Sequence, residues 1–160
     1  MPSSTFSSPN SSPLPSPKRS RAVSQVTKRL LIVDDNPFNL LAASFIMQKL
    51  GFTIVTASHG EESLNVLENN AKINQRFDMI LMDIQMPLMD GLAASRLITQ
   101  RIRKGEIYRV PIIGLTAQKI IHERDRVVYK ESGMVEVLEK PLVEDKIKFI
   151  IQSLRMRANV

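Results

Sequence analysis

Five short apolar segments alternate with five helical segments from residue 29 onward, and this alternation limits the possible folds more than any other feature of the sequence. The first apolar segment, residues 30–33, is continuous, which is typical of a strand buried on both faces. Parallel strands need a long crossover between them, and a helix usually provides it. The alternation therefore predicts an α/β domain in which helices cover both faces of a parallel sheet.

The apolar pattern places the predicted strands at residues 30–33, 53–57, 77–82, 110–115 and 134–138. Helical spacing of apolar residues follows the first strand, and Gly51 is expected to end that helix. The face that this helix is predicted to bury consists of Phe38, Leu41, Ala42, Phe45 and Ile46.

The other four helices are predicted from capping residues and from apolar spacing. Ser58 and Glu61 are expected to form a capping box for a second helix that runs to about residue 69. A third helix is predicted over 91–103, and a charged fourth helix over 117–132, which Gly133 ends. The last helix is predicted from an apolar face formed by Ile147, Ile150, Ile151 and Leu154.

Polar residues follow four of the five predicted strands. They are Asp34 and Asp35 after the first, Asp83 after the third, Thr116 after the fourth and Lys140 after the fifth; Ala117 follows Thr116, and Pro141 follows Lys140. In open parallel sheets, the functional site lies beyond the carboxyl ends of the strands. No glycine-rich phosphate loop follows the first strand, which argues against a dinucleotide or P-loop site. The sequence thus predicts three carboxylates, a hydroxyl and an ammonium group at one edge.

Three carboxylates at one edge repel one another and require a cation. Oxygen ligands favour Mg²⁺ or Mn²⁺. A carboxylate-bound cation beside a lysine and a hydroxyl is suited to holding a phosphoryl group. The nucleophile would be a carboxylate, because the chain has no cysteine and neither His59 nor His122 follows a strand.

The first 28 residues differ in composition from the remainder. They contain nine serines, five prolines and no acidic residue, so we expect a disordered tail or linker. Four of the six net positive charges lie there, on Lys18, Arg19, Arg21 and Lys28. The remaining residues are close to neutral, which argues against direct binding of nucleic acid. No apolar run is long enough to span a membrane, so we expect a cytoplasmic chain without membrane contact; only the basic patch at 18–21 favours the nucleus.

Four motifs together resemble the receiver domain of two-component response regulators, and most closely the receivers of hybrid histidine kinases. They are LIVDDN at 31–36, LMDIQMPLMDG at 81–91, PIIGLTA at 111–117 and EKP at 139–141. The resemblance implies a receiver domain over residues 29–158. It also implies a flavodoxin-like, doubly wound, five-stranded parallel sheet with strand order 2-1-3-4-5.

The resemblance implies a role for each residue at the predicted edge. Asp83 would be the phosphoacceptor. Mg²⁺ (or Mn²⁺) would be bound directly by Asp35, Asp83 and the backbone carbonyl of Gln85, and by Asp34 either directly or through water. The phosphoryl group would be bound by the Thr116 hydroxyl, the backbone N–H of Ala117 and the Lys140 ammonium group. The peptide bond between Lys140 and Pro141 is expected to be cis, and the Gln85 side chain is expected to influence the rate of dephosphorylation.

The implied function is signalling by phosphorelay rather than catalysis on a separate substrate. The donor would be a phosphohistidine on a histidine kinase or a histidine phosphotransfer protein, and the acyl phosphate would be lost by slow self-dephosphorylation. In many receivers the donor protein docks on the first helix, so Asn36, Asn39 and Ala43 are candidate docking residues. Phosphorylation would switch a surface that binds a downstream effector. One position departs from the family: Val137 stands where the aromatic switch residue is usual.

Two other functions fit parts of the pattern. A Mg²⁺-dependent phosphohydrolase with an aspartyl nucleophile usually has a second Asp two residues later, and this chain has Gln85 there. A pseudo-receiver would bind partners without being phosphorylated. The intact set of Asp34, Asp35, Asp83, Thr116 and Lys140 argues against that alternative.

Overall fold

All neighbouring strands of the sheet are parallel, and their order is β2-β1-β3-β4-β5. The structure, a computed structural model, describes residues 28–120 and 123–158, so the predictions for the tail and for His122 lie outside the described residues. The strands are β1 (Lys28–Val33), β2 (Phe52–Ala57), β3 (Met79–Asp83), β4 (Ile112–Thr116) and β5 (Glu136–Glu139). The helices are α1 (Pro37–Lys49), α2 (Gly60–Lys72), α3 (Gly91–Arg103), α4 (Glu123–Glu131) and α5 (Glu144–Ala158).

Side chains alternate between the two faces of the sheet and build two apolar layers. In β1, Leu31 and Val33 pack in the layer that α2 and α3 cover, whereas Leu30 and Ile32 pack in the layer that α1 and α5 cover. All four are fully buried. The predicted doubly wound α/β fold and its strand order are therefore confirmed.

The strand boundaries differ slightly from the predicted ones because the hydrogen-bonded ladder, not the apolar run, defines them. Lys28, assigned to the tail by composition, pairs with Phe52 and begins β1. At the other end of the sheet, β3 and β4 include Asp83 and Thr116 as their last residues. Met134 is buried, but it lies before β5, which begins at Glu136.

The predicted buried face of α1 is wrong except at Ile46, which is partly buried and packs against the core. Phe38, Leu41 and Phe45 are 79%, 70% and 66% exposed, and the buried residues of this helix are Ala43 and Met47. Apolar residues lie on both sides of α1, so two different faces fit helical spacing equally well. Contact with the sheet selects the other face.

The predicted capping box of α2 is displaced by one residue. His59 is the N-cap, and its Nδ1 accepts a hydrogen bond from the Glu62 N–H at 3.2 Å. The Glu62 carboxylate reaches back to the N–H and the hydroxyl of Ser58, both at 2.7 Å. Two consecutive acidic residues, Glu61 and Glu62, made the register ambiguous in the sequence.

The fourth helix is shorter than predicted because the segment after β4 is a loop over residues 117–120. Side-chain acceptors hold this segment in place of a helical ladder: the Gln118 N–H donates to Thr116 Oγ1 at 3.1 Å, and the Ile120 N–H donates to Glu139 Oε1 at 3.0 Å. At the other end, Gly133 follows α4 with a φ of +94°, as expected for a residue that ends a helix.

Candidate phosphoryl-acceptor site

Three carboxylates meet at the carboxyl edge of the sheet. Asp34 and Asp35 directly follow β1, and Asp83 ends the neighbouring strand β3. One carboxylate oxygen of each residue lies within 4.8 Å of the others. Asp34 and Asp83 are only 2% and 3% exposed, while Asp35 is open to solvent. The predicted acidic cluster is thus present, with one side accessible to a hydrated ion.

Lys140 lies between the two buried carboxylates. Its Nζ is 2.7 Å from Asp34 Oδ2 and 3.0 Å from Asp83 Oδ1. The Lys140 N–H donates to the Thr116 carbonyl at 2.7 Å, which fixes the end of β5 against β4. The peptide bond to Pro141 is cis, as predicted. Burial opposes the charge on Lys140, but the hydrogen bonds to Asp34 and Asp83 outweigh it and raise the lysine pKa.

The pKa of Asp83 is raised, and burial of its carboxylate is the largest cause. The hydrogen bond from Lys140 acts in the opposite direction, whereas the negative charge of Asp34 raises the pKa further. Asp83 Oδ1 also accepts the Gln85 N–H at 3.2 Å. Negative charge at Asp83 is therefore only partly compensated, and this carboxylate is an electrostatically favourable site for a divalent cation.

The N-terminus of α1 holds the other oxygen of Asp34. Asp34 Oδ1 accepts the Asn36 N–H at 2.9 Å and the Asn39 side-chain amide at 3.1 Å. Asn36 also caps α1, because its side-chain oxygen accepts the Phe38 N–H. The contact between Asn39 and Asp34 was not recognised in the sequence, although the DDNPFN spacing places Asn39 in the first turn of the helix.

Thr116 and Ala117 lie at the same edge of the sheet. The strand register pairs Asp83 with Leu115, so Thr116 is one residue further along β4. Thr116 is 1% exposed, and its hydroxyl accepts the Gln118 N–H rather than facing an open site.

The position expected for an aromatic switch is occupied by Val137, which is 7% exposed. A Cβ at Gly114 would lie 3.2 Å from Val137 Cγ2, so the valine packs directly against β4. Two residues later, the Glu139 carboxylate binds the Ile120 N–H and thereby connects β5 to the loop after β4. No motif or apolar pattern in the sequence indicates this second contact.

The Asp90-Gly91 pair of the second motif lies next to this site, and the packing of Gly91 explains why glycine occurs there. Asp90 caps α3 by accepting the Ala93 N–H at 2.7 Å, and the Gly91 N–H donates to the Ile84 carbonyl at 2.9 Å. A Cβ at residue 91 would overlap the Asp83 carbonyl oxygen. Glycine therefore allows α3 to begin directly against the end of β3.

The family model described as the response regulator receiver domain matches residues 30–152, which include every strand end of the site. The chain belongs to this family. The predicted resemblance to receiver domains is thereby confirmed, and relatives that are histidine kinases confirm the predicted likeness to their receivers. A receiver domain is a signalling domain of two-component phosphorelay systems.

Two relatives illustrate the family. The chain is 33% identical over 149 residues to sensor histidine kinase GacS of Pseudomonas protegens, covering 88% of this chain and 15% of GacS. It is 34% identical over 140 residues to hybrid signal transduction histidine kinase L of Dictyostelium discoideum, covering 85% of this chain and 8% of the kinase. The chain therefore corresponds to a small part of both kinases.

A solved structure shows the same fold with a metal ion. The receiver domain of sensor histidine kinase PA1611 from Pseudomonas aeruginosa has a TM-score of 0.64 and 32% identity, covering 79% of this chain and 95% of that domain. That structure holds magnesium in its active-site cleft. The three carboxylates of the present receiver domain are the ligand type that Mg²⁺ prefers, so the predicted cofactor fits this donor set.

Among the described residues, no helix has the length and apolar character needed to cross a bilayer.

Proposed function

We propose that this receiver domain accepts a phosphoryl group on Asp83 from a phosphohistidine of a histidine kinase or a histidine phosphotransfer protein. The observation that carries the proposal is the arrangement at the sheet edge, where Lys140 joins two buried carboxylates and a third carboxylate lies within 4.8 Å. A lone buried Asp or a surface Lys would support no such function. The three carboxylates and Lys140 together supply a nucleophile, a cation site and a fixed positive charge.

Mg²⁺ is the cofactor that these residues would hold. Its ligands would be Asp34, Asp35, Asp83 and the backbone carbonyl of Gln85, with water completing the coordination. When bound, the ion would neutralise negative charge on the phosphoryl oxygens as the group is transferred.

Transfer would form one bond and break another at phosphorus. An Asp83 carboxylate oxygen attacks phosphorus, the bond from phosphorus to the donor imidazole nitrogen breaks, and that nitrogen takes up a proton from water, so the products are an acyl phosphate and free imidazole. Lys140 already contacts Asp83 and would pair with the phosphoryl oxygens. The Thr116 hydroxyl would leave the Gln118 N–H and bind the phosphoryl group, together with the N–H of Ala117.

Loss of the phosphoryl group would reverse the signal. Water attacks phosphorus, the bond to Asp83 oxygen breaks, and inorganic phosphate leaves. The exposed Gln85 side chain, two residues after the acceptor, would influence access of that water. An aspartyl phosphohydrolase is less consistent with the site because Gln85 is not an acid and cannot protonate a leaving alcohol.

The donor protein would dock on the exposed apolar surface of α1. Phe38, Leu41 and Phe45 recur at spacings of three and four residues, so they form one stripe that faces solvent. Leu88, in the loop after β3, is also fully exposed. The docking candidates Asn36, Asn39 and Ala43 are revised accordingly: Asn36 is exposed, Asn39 is half-buried, and Ala43 is buried and cannot contact a partner.

The decisive test is phosphorylation with Mg²⁺ and acetyl phosphate, followed by intact-mass measurement. We expect the wild-type protein to gain one phosphoryl group that is lost on incubation, and Asp83→Asn to gain none. Asp145→Asn, which removes a carboxylate from the exposed surface of α5, is the matched control and should behave as the wild type. Absence of a mass gain in the wild-type protein, or an equal gain in Asp83→Asn, would contradict the proposal.

A further inference from the structure

We propose that Asn39 is a positioning residue for the Mg²⁺ site, whose side-chain amide holds the Asp34 carboxylate in the orientation that binds the ion. The inference rests on the function proposed above. It assigns to Asn39 a role inside the site, whereas its place on α1 had suggested only a surface for partners.

The two oxygens of Asp34 have different partners. Oδ1 accepts two neutral donors, the Asn36 N–H at 2.9 Å and the Asn39 amide at 3.1 Å. Oδ2 accepts the Lys140 ammonium group at 2.7 Å. The carboxylate is 2% exposed, so water cannot readily replace a lost partner. These contacts fix the rotation of the carboxylate about its terminal bond.

The donors to Asp34 come from different elements of the fold. Asn36 and Asn39 belong to the N-terminal end of α1, and Lys140 belongs to the end of β5. Burial of Ala43 and Met47 anchors α1 against the sheet, which makes Asn39 a fixed donor rather than a mobile surface amide. Asn39 is half-buried and shares a cleft of about 340 Å³ with Asp34 and Lys140.

Without the Asn39 amide, only the Asn36 N–H would hold Oδ1. The Asp34 carboxylate would then be free to rotate toward the Lys140 ammonium group and give it both oxygens. Lys140 would compete more strongly with a divalent cation for the same negative charge. Groups that orient metal-binding carboxylates typically contribute about 10- to 100-fold to metal affinity.

The test is an Mg²⁺ titration of the full chain, in which the NMR shifts of the Asp34, Asp35 and Gln85 backbone amides report binding. We expect Asn39→Ala and Asn39→Leu to raise the Kd for Mg²⁺ by about tenfold. The leucine variant keeps a branched side chain of similar size without an N–H donor, so it gives a result even if the alanine variant folds poorly. Gln48→Ala removes an exposed amide near the other end of the same helix and should keep the wild-type Kd.

A second NMR readout distinguishes a positioning role of Asn39 from a purely structural one. The side-chain NH₂ resonances of Asn39 in the wild-type protein should shift in proportion to Mg²⁺ saturation, because their acceptor is a ligand. Unchanged resonances, or a wild-type Kd in Asn39→Leu, would overturn the inference and leave the proposed function intact. Failure of the wild-type protein to bind Mg²⁺ would instead contradict the proposed function on which the inference rests.

Discussion

Replacing Lys140 by methionine should destabilise the metal-free protein strongly, because the two buried carboxylates would lose their shared cation. At an effective dielectric constant of about 20, contacts of 2.7 and 3.0 Å each correspond to roughly 6 kcal/mol of attraction. Repulsion between carboxylates that are up to 4.8 Å apart amounts to at least about 3.5 kcal/mol on the same scale. Release of the lysine from its partly buried position and entry of water offset much of this loss. We therefore expect Lys140→Met to lower the free energy of unfolding by about 2–4 kcal/mol.

The assay is urea unfolding at pH 7 without divalent cations, repeated across pH and with Mg²⁺. The pKa of Lys140 is raised in the folded protein, so its contribution is complete below the ordinary lysine pKa and is lost only at more alkaline pH. In acid, Asp83 becomes protonated at a higher pH than an ordinary aspartate because its pKa is raised, and its repulsion with Asp34 is then removed. The difference in the free energy of unfolding between Lys140→Met and the wild type should therefore shrink as the pH falls. Mg²⁺ should restore part of the stability of the variant, because it binds only the folded site.

Lys49→Met is the matched control. Lys49 also contacts a carboxylate at 2.9 Å, that of Glu144, but its side chain is 54% exposed. Solvent and salt screen such a pair, so little stability should be lost. An equal loss in the two variants, or a loss in Lys140→Met that does not change between pH 7 and acid, would refute the reasoning.

Three further outcomes are expected. Asp83→Asn should raise the free energy of unfolding of the metal-free protein at pH 7, because it removes a buried charge whose pKa is raised, and this gain should vanish in acid; urea titration at both pH values checks it. Phe38→Ala combined with Phe45→Ala should weaken binding to a histidine phosphotransfer protein by about tenfold in calorimetry while leaving Tm nearly unchanged, and wild-type affinity would exclude α1 as the docking surface. Mg²⁺ with beryllofluoride should shift the amide resonance of Thr116 more than that of Val137, and equally large shifts would show that the valine takes part in the switch.

The fold could be predicted because the central strands contain continuous apolar runs and helices separate the strands along the chain. A buried apolar run such as residues 30–33 of β1 leaves few alternatives, and parallel pairing then places all strand ends at one edge. The buried face of α1 could not be predicted, since apolar residues occupy both of its sides. The start of α4 was also missed, because loop contacts from Glu139 and Thr116 compete with the helix there.

In the site, too, some residues could be predicted from a sequence pattern, whereas other contacts could not. Asp34, Asp83 and Lys140 each follow or end a strand of a parallel sheet, so the sequence pattern was sufficient to expect them at one edge, and the family resemblance implied the strand order. The contacts of Asn39 and Glu139 depend on side-chain rotamers and on loop paths that no periodicity records. Such contacts connect the site to α1 and to the loop after β4, and only the three-dimensional structure reveals them.

Identification of the modified residue tests the central claim most directly. After phosphorylation from a phosphohistidine donor with Mg²⁺, borohydride reduces an aspartyl phosphate to homoserine, which peptide mass spectrometry locates in the sequence. The account predicts homoserine at residue 83 and at no other aspartate. Homoserine at Asp34 or Asp35, or its absence after proven transfer from the donor, would contradict the assignment of Asp83 as the phosphoacceptor.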